Sequence, residues 1–102
     1  MIETLPEIEI SANFYTERRI GRFEVLRPLI EDYADVIAAA MAGMIVVRAE
    51  HRLDMDAIEY MAFSPQFDPV PKFEIAPLYR VMVTEHTDDE GRKTLTTEFV
   101  RR

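Results

Sequence analysis

The chain has 102 residues, 48% of them hydrophobic and 30% charged, with a formal net charge of −7 and no cysteine. That length suits a single domain over residues 1–102, able to bury roughly two thirds of the surface its unfolded chain exposes, and the composition excludes a disordered or fibrous class. Without cysteine there are no disulfides, thiolate nucleophiles or thiolate metal sites, and an acidic total opposes the phosphate attraction on which most nucleic-acid binding rests.

The opening segment "MIETLPEIEI" lacks the basic and apolar regions of a secretory leader, and no apolar run approaches the ~18 residues that span a bilayer. A cytoplasmic protein with no membrane partner is expected. Residues 7–14, "EIEISANF", alternate with Ile8, Ile10, Ala12 and Phe14 on one face, the period of a half-buried strand. The stretch "YTERRIGRFEVL" contains Gly21 and mixed spacing, and reads either as a turn leading into a short extended run or as a frayed approach to a helix. Arg18, Arg19, Arg22 and Arg27 against Glu17 and Glu24 leave a local charge of +2. A solvated flank with internal ion pairs explains that charge more simply than a nucleic-acid patch does.

A helix is expected over about Pro28–Ala42. Pro28 suits the first helical position, Glu31 and Asp32 the positive end of the dipole, and Gly43 a left-handed stop. At 100° per residue, Leu29, Ile30, Tyr33, Val36, Ile37, Ala40 and Met41 share one arc, while Glu31, Asp32 and Asp35 lie opposite with Ala38, Ala39 and Ala42. The outward face is therefore acidic early and bare late. Exposed alanine is harmless in a helix, but three small side chains also let another backbone approach, so Ala38, Ala39 and Ala42 are candidate interaction residues.

After Gly43, "MIVVRAEHRL" alternates as a strand, with Ile45, Val47, Ala49, His51 and Leu53 on one face and Met44, Val46, Arg48, Glu50 and Arg52 on the other. Residues 57–63 fit two readings. Asp56 with Glu59 makes a capping box for a short helix, whereas Ile58, Tyr60 and Ala62 alternate as a strand; the aromatic content favours the strand, which makes "LDMD" a hairpin tip.

The segment "AEHRLDMDAIEY" gathers His51 with Glu50, Asp54, Asp56 and Glu59, and invites a metal reading. It lacks the one-turn spacing of two histidines in HExxH, and it has neither the turning glycine nor the acid at position 58 that a calcium loop requires. Aspartates hydrogen-bonding their own turn explain Asp54 and Asp56, and a single weak divalent site stays open. No metal or cofactor is expected. Four prolines, Pro65, Pro69, Pro71 and Pro77, make residues 64–77 an irregular, partly polyproline-like crossing. Phe67, Phe73 and Ile75 either pin it to the body or lie exposed, and Phe67 and Phe73 join the candidate interaction residues. The carboxyl end reads as a hairpin, "LYRVMVTEH" and "KTLTTEFVRR" around Gly91, with Leu95, Thr97 and Phe99 inward.

Catalytic signatures are sparse. His51 and His86 are the two histidines, Ser11 and Ser64 the two serines, and neither serine sits in a G-x-S-x-G turn. The expected architecture is α+β: one amphipathic helix packed on an antiparallel sheet of about four to five strands. The expected function is a non-enzymatic protein–protein interaction or assembly module that pairs with itself or another protein. Two alternatives are a small metal- or ligand-dependent enzyme using His51 or His86 with nearby acids, and an acidic inhibitor of a nucleic-acid-binding protein.

Overall fold

A computed structural model describes residues 16–102; the strand expected over residues 7–14 lies outside the described residues. The elements follow in the order β1 (Ile20–Leu26), α1 (Arg27–Met41), β2 (Ile45–Arg52), β3 (Ala57–Phe63), β4 (Leu78–Thr87) and β5 (Lys93–Arg101). The strands form one sheet in the order β2-β3-β1-β4-β5, and α1 packs over β1 and β5 on one face. This is the α+β arrangement expected, and 57–63 is a strand, with the hairpin turn at Leu53–Asp56.

The sheet is mixed rather than wholly antiparallel, because β1 pairs parallel with β4 through Arg22↔Leu78 and Phe23↔Tyr79. The path of residues 64–77 explains it. Antiparallel pairing with β1 makes β3 finish where β1 begins, with Phe63 opposite Ile20. The chain then steps across the start of β1 instead of turning back in a hairpin, so β4 sets out from the same end as β1 and in the same direction.

That crossing is tied down by the basic stretch before it. Arg18 Nε donates to the Val70 carbonyl at 3.2 Å, Arg19 Nη1 to the Phe67 carbonyl at 3.1 Å, and Arg22 Nε to the Ala76 carbonyl at 2.8 Å. The amides of Ser64 and Val70 in turn donate to the carbonyls of Arg19 and Arg18. Prolines remove donors from the segment, and arginine side chains satisfy the carbonyls that a strand partner would have satisfied. Gly21, which read as turn punctuation, is instead a buried residue of the central strand.

The core sits between the sheet and α1 around Phe23, Val25, Ile37, Ala62, Phe67 and Tyr79. Its centre is aromatic: Phe67 stacks on Tyr79 at 4.5 Å between ring centroids, and Phe99 meets Phe23 edge-on at 5.0 Å and Phe67 at 5.5 Å. Such pairs add roughly 0.5–1.5 kcal/mol each beyond the area they bury.

The helix differs in detail from its sequence reading. It begins at Arg27, so Pro28 is its second residue and no acid lies in its first turn; Glu31 and Asp32 fall in the second. Arg27 at the first position is offset by Asp56, whose Oδ1 is 2.7 Å from its Nη2. Tyr33 departs from helical geometry at φ −134° and ψ 34°, and its side chain is exposed. Gly43 does not adopt a left-handed conformation; the end is closed by Ala42 and Met44 amides donating to the Ala39 and Met41 carbonyls.

Candidate interaction surface

Because α1 lies over β1 and β5, no second layer covers the β2–β3 half of the same face among the described residues. Cross-strand pairing puts Ala49 beside Tyr60 and His51 beside Ile58 on that face, in rows that continue to Phe23 and Val25 on β1. Between this half-sheet and the helix runs an apolar groove of about 350 Å³, bounded by Ile30, Ala34, Ala38 and Met41 from α1 and by Ile58 and Tyr60 from β3.

β2 is the outer strand, and every residue from Ile45 to His51 is exposed. A β-bulge between Val46 and Arg48 inserts Val47 into the strand. Val46 therefore pairs with Ala62 and shares the face of Ala49 and His51, whereas simple alternation assigned it to the other side. The three apolar residues Ile45, Val46 and Val47 all lie at the surface.

The opposite face, which no helix of the described residues covers, carries a chain of charges. Glu59, 7% exposed, lies between Arg22 (3.6 Å) and Arg52 (3.3 Å), and Arg52 continues to Asp54 at 3.2 Å. Its hydrogen bonds from Arg52 hold the Asp54 carboxyl below the usual carboxylate range, and the same contact raises Arg52. Glu50 stands directly across from Glu59 in the β2–β3 register, and Arg48 across from Met61.

The residues singled out from the sequence divide. Ala38, Ala39 and Ala42 are exposed, but they do not form one outward stripe: Ala38 looks into the β3-side groove, and Ala39 into a shallow cleft against Leu95, Thr96 and Thr97 of β5. Phe67 is fully buried in the aromatic core and offers nothing to a partner, whereas Phe73 is 98% exposed and Ile75 beside it is exposed too. Residue type and spacing do not separate these phenylalanines; the path of the crossing does.

The segment that suggested a metal is a structural turn. Asp54 is held by Arg52 and Asp56 by Arg27, so the two carboxylates are drawn to different arginines. Glu50 and His51 fall on opposite faces of the sheet. Among the described residues no three histidine, aspartate or glutamate side chains come together as a metal would require. His86 is exposed on β4, its Nε2 3.1 Å from Thr96 Oγ1. His51 borders a depression of about 220 Å³ with the Arg27–Asp56 pair, below the ~300–1,000 Å³ of clefts that bind small substrates.

No helix among the described residues is long and apolar enough to cross a membrane. No protein-family model, curated protein or solved structure matches the chain.

Proposed function

We propose that this chain is a non-enzymatic assembly module that acts by associating with further copies of itself, with the cytoplasm as its expected compartment. One observation carries the reading: among the described residues, β2 is an outer strand with no neighbour on one side, no helix above it and the exposed apolar run Ile45-Val46-Val47 at its start. Exposed single hydrophobic residues are ordinary, but contiguous apolar surface on a free sheet edge is where proteins pair. The groove between β3 and α1 adds further apolar surface on the helix-bearing face of the sheet.

A second copy suits this edge better than a foreign chain because β2 carries charges of both signs at its centre, Arg48 and Glu50, around the small Ala49. Such an arrangement complements itself on two-fold rotation. Light scattering of the full chain across a concentration series tests the reading. A mass of twice the chain or more, falling on dilution, is expected; a monomer at every concentration overturns it.

A further inference from the structure

We infer that β2 pairs antiparallel with β2 of a second copy about a two-fold axis at Ala49, joining two five-stranded sheets into one of ten strands. The inference rests on the self-association proposed above and specifies its geometry.

Two constraints narrow the register. In an antiparallel ladder, residues directly opposite one another lie on the same face, so a two-fold axis normal to the sheet passes through a residue position and never between two. Overlap is greatest when that residue is near the middle of Ile45–Arg52, which leaves Arg48 and Ala49. An axis at Arg48 sets Arg48 against the partner's Arg48. Moving it on to Glu50 sets Glu50 against the partner's Glu50 and Arg48 against the partner's Arg52. Only the axis at Ala49 sets Arg48 against the partner's Glu50, twice over by symmetry, with the smallest side chain of the strand at the crossing point.

The state of those charges within one chain supports the same register. Neither Arg48 nor Glu50 has an ion-pair partner among the described residues. Glu50 also faces a like charge, Glu59, whose own carboxylate is occupied by Arg22 and Arg52. Like charges directly opposite across a ladder are unfavourable, and an arginine arriving from the open side relieves Glu50. With the axis at Ala49, the regular residues Arg48, Ala49 and Glu50 pair among themselves, and the bulge between Val46 and Arg48 falls outside that central ladder.

The other outer strand lacks these features. Lys93 and Arg101 of β5 are already paired, with Glu85 at 3.7 Å and Asp68 at 3.1 Å. Centring β5 on itself would bring Lys93 opposite the partner's Arg101.

A charge exchange tests the register. Arg48→Glu, Glu50→Arg and the double variant are compared with the wild type by sedimentation equilibrium, with urea unfolding to verify that each chain folds. The wild type is expected to be dimeric, each single variant to weaken the dimer at least tenfold, and the double variant to recover it, since it restores opposite charges in reversed order. Single variants that stay dimeric overturn the β2 register while leaving self-association intact, through another surface. Folded monomeric single variants that the exchange does not rescue also overturn the register. A wild type that is monomeric throughout removes both the register and the assembly reading.

Discussion

Gly21 lies beneath the ring of Tyr79: a Cβ at this position would stand 2.7 Å from Tyr79 Cε2 and 2.9 Å from Phe67 Cδ2. Both rings are packed in the core, where neither can swing aside freely. The glycine therefore answers to a close approach within the central strand, and it is the contact through which the Pro-rich crossing seats on the sheet. Gly21→Ala should destabilise the fold by about 1–3 kcal/mol, the usual cost of overpacking. Urea unfolding should show a lower midpoint with little change in slope, and a smaller loss when the substitution is made in a Phe67→Leu background. An unchanged midpoint would show that the rings move aside at no cost.

The same contact marks the boundary of what the sequence discloses. α1, β2, β3 and the β4–β5 hairpin were legible because their signals are local: a 3.6-residue period with Pro28 at its head, alternation from Ile45 to Arg52, and a turn at Gly91 between alternating runs. Gly21 was not legible as a strand residue, since its reason lies in two rings that arrive from distant parts of the chain. Nor did alternation disclose the Val47 bulge, the parallel pairing of β1 with β4, or the exposure of Ile45 and Val47. Those follow from strand order, which is set by the route of residues 64–77. The candidate surface was only half readable: Ala38, Ala39 and Ala42 are exposed as expected, Phe67 and Phe73, left open between core and surface, fall one to each, and the β2 edge was not foreseen because apolar alternation reads alike in central and outer strands.

Phe73 occupies the third position of a turn in which the Glu74 amide donates to the Pro71 carbonyl at 3.2 Å, and its φ is 69°. A turn with positive φ at that position favours glycine, and a bulky residue held there costs roughly 1–2 kcal/mol. The ring is almost wholly exposed, so removing it sacrifices no packing within the chain. Phe73→Gly should therefore raise stability by about 0.5–1.5 kcal/mol in urea unfolding, after allowance for the greater freedom of glycine in the unfolded chain. If assembly runs through β2, the solution mass should not change; a loss of mass would instead identify the Phe73 tip as a contact between copies.

Tyr79 joins the crossing to the sheet in a second way, its hydroxyl oxygen accepting a hydrogen bond from the Asp68 amide at 2.8 Å. Tyr79→Phe preserves the stack on Phe67 and leaves that part-buried amide without its acceptor. A cost of about 0.5–1.5 kcal/mol is expected, and faster hydrogen exchange at the Asp68 amide. Exchange unchanged at Asp68 would mean that the bond contributes nothing to holding the segment.

At the β2–β3 turn, hydrogen bonds from Arg52 depress the Asp54 carboxyl below its ordinary value of 3.8. A group whose folded pKa lies below its unfolded one adds stability above the unfolded value. The contribution fades as pH falls from about that ordinary value through the lowered one. Asp54→Asn abolishes it, so the variant should be less stable than the wild type near neutral pH, with the two converging as pH drops below the ordinary carboxylate range. Both side chains reach solvent, so the difference is small and should shrink further in molar salt. Thermal melts from pH 7 to pH 2.5, at low and high salt, give the comparison. A gap that persists unchanged at the acid end would locate the effect of the substitution in the backbone of the turn, not in the charge pair.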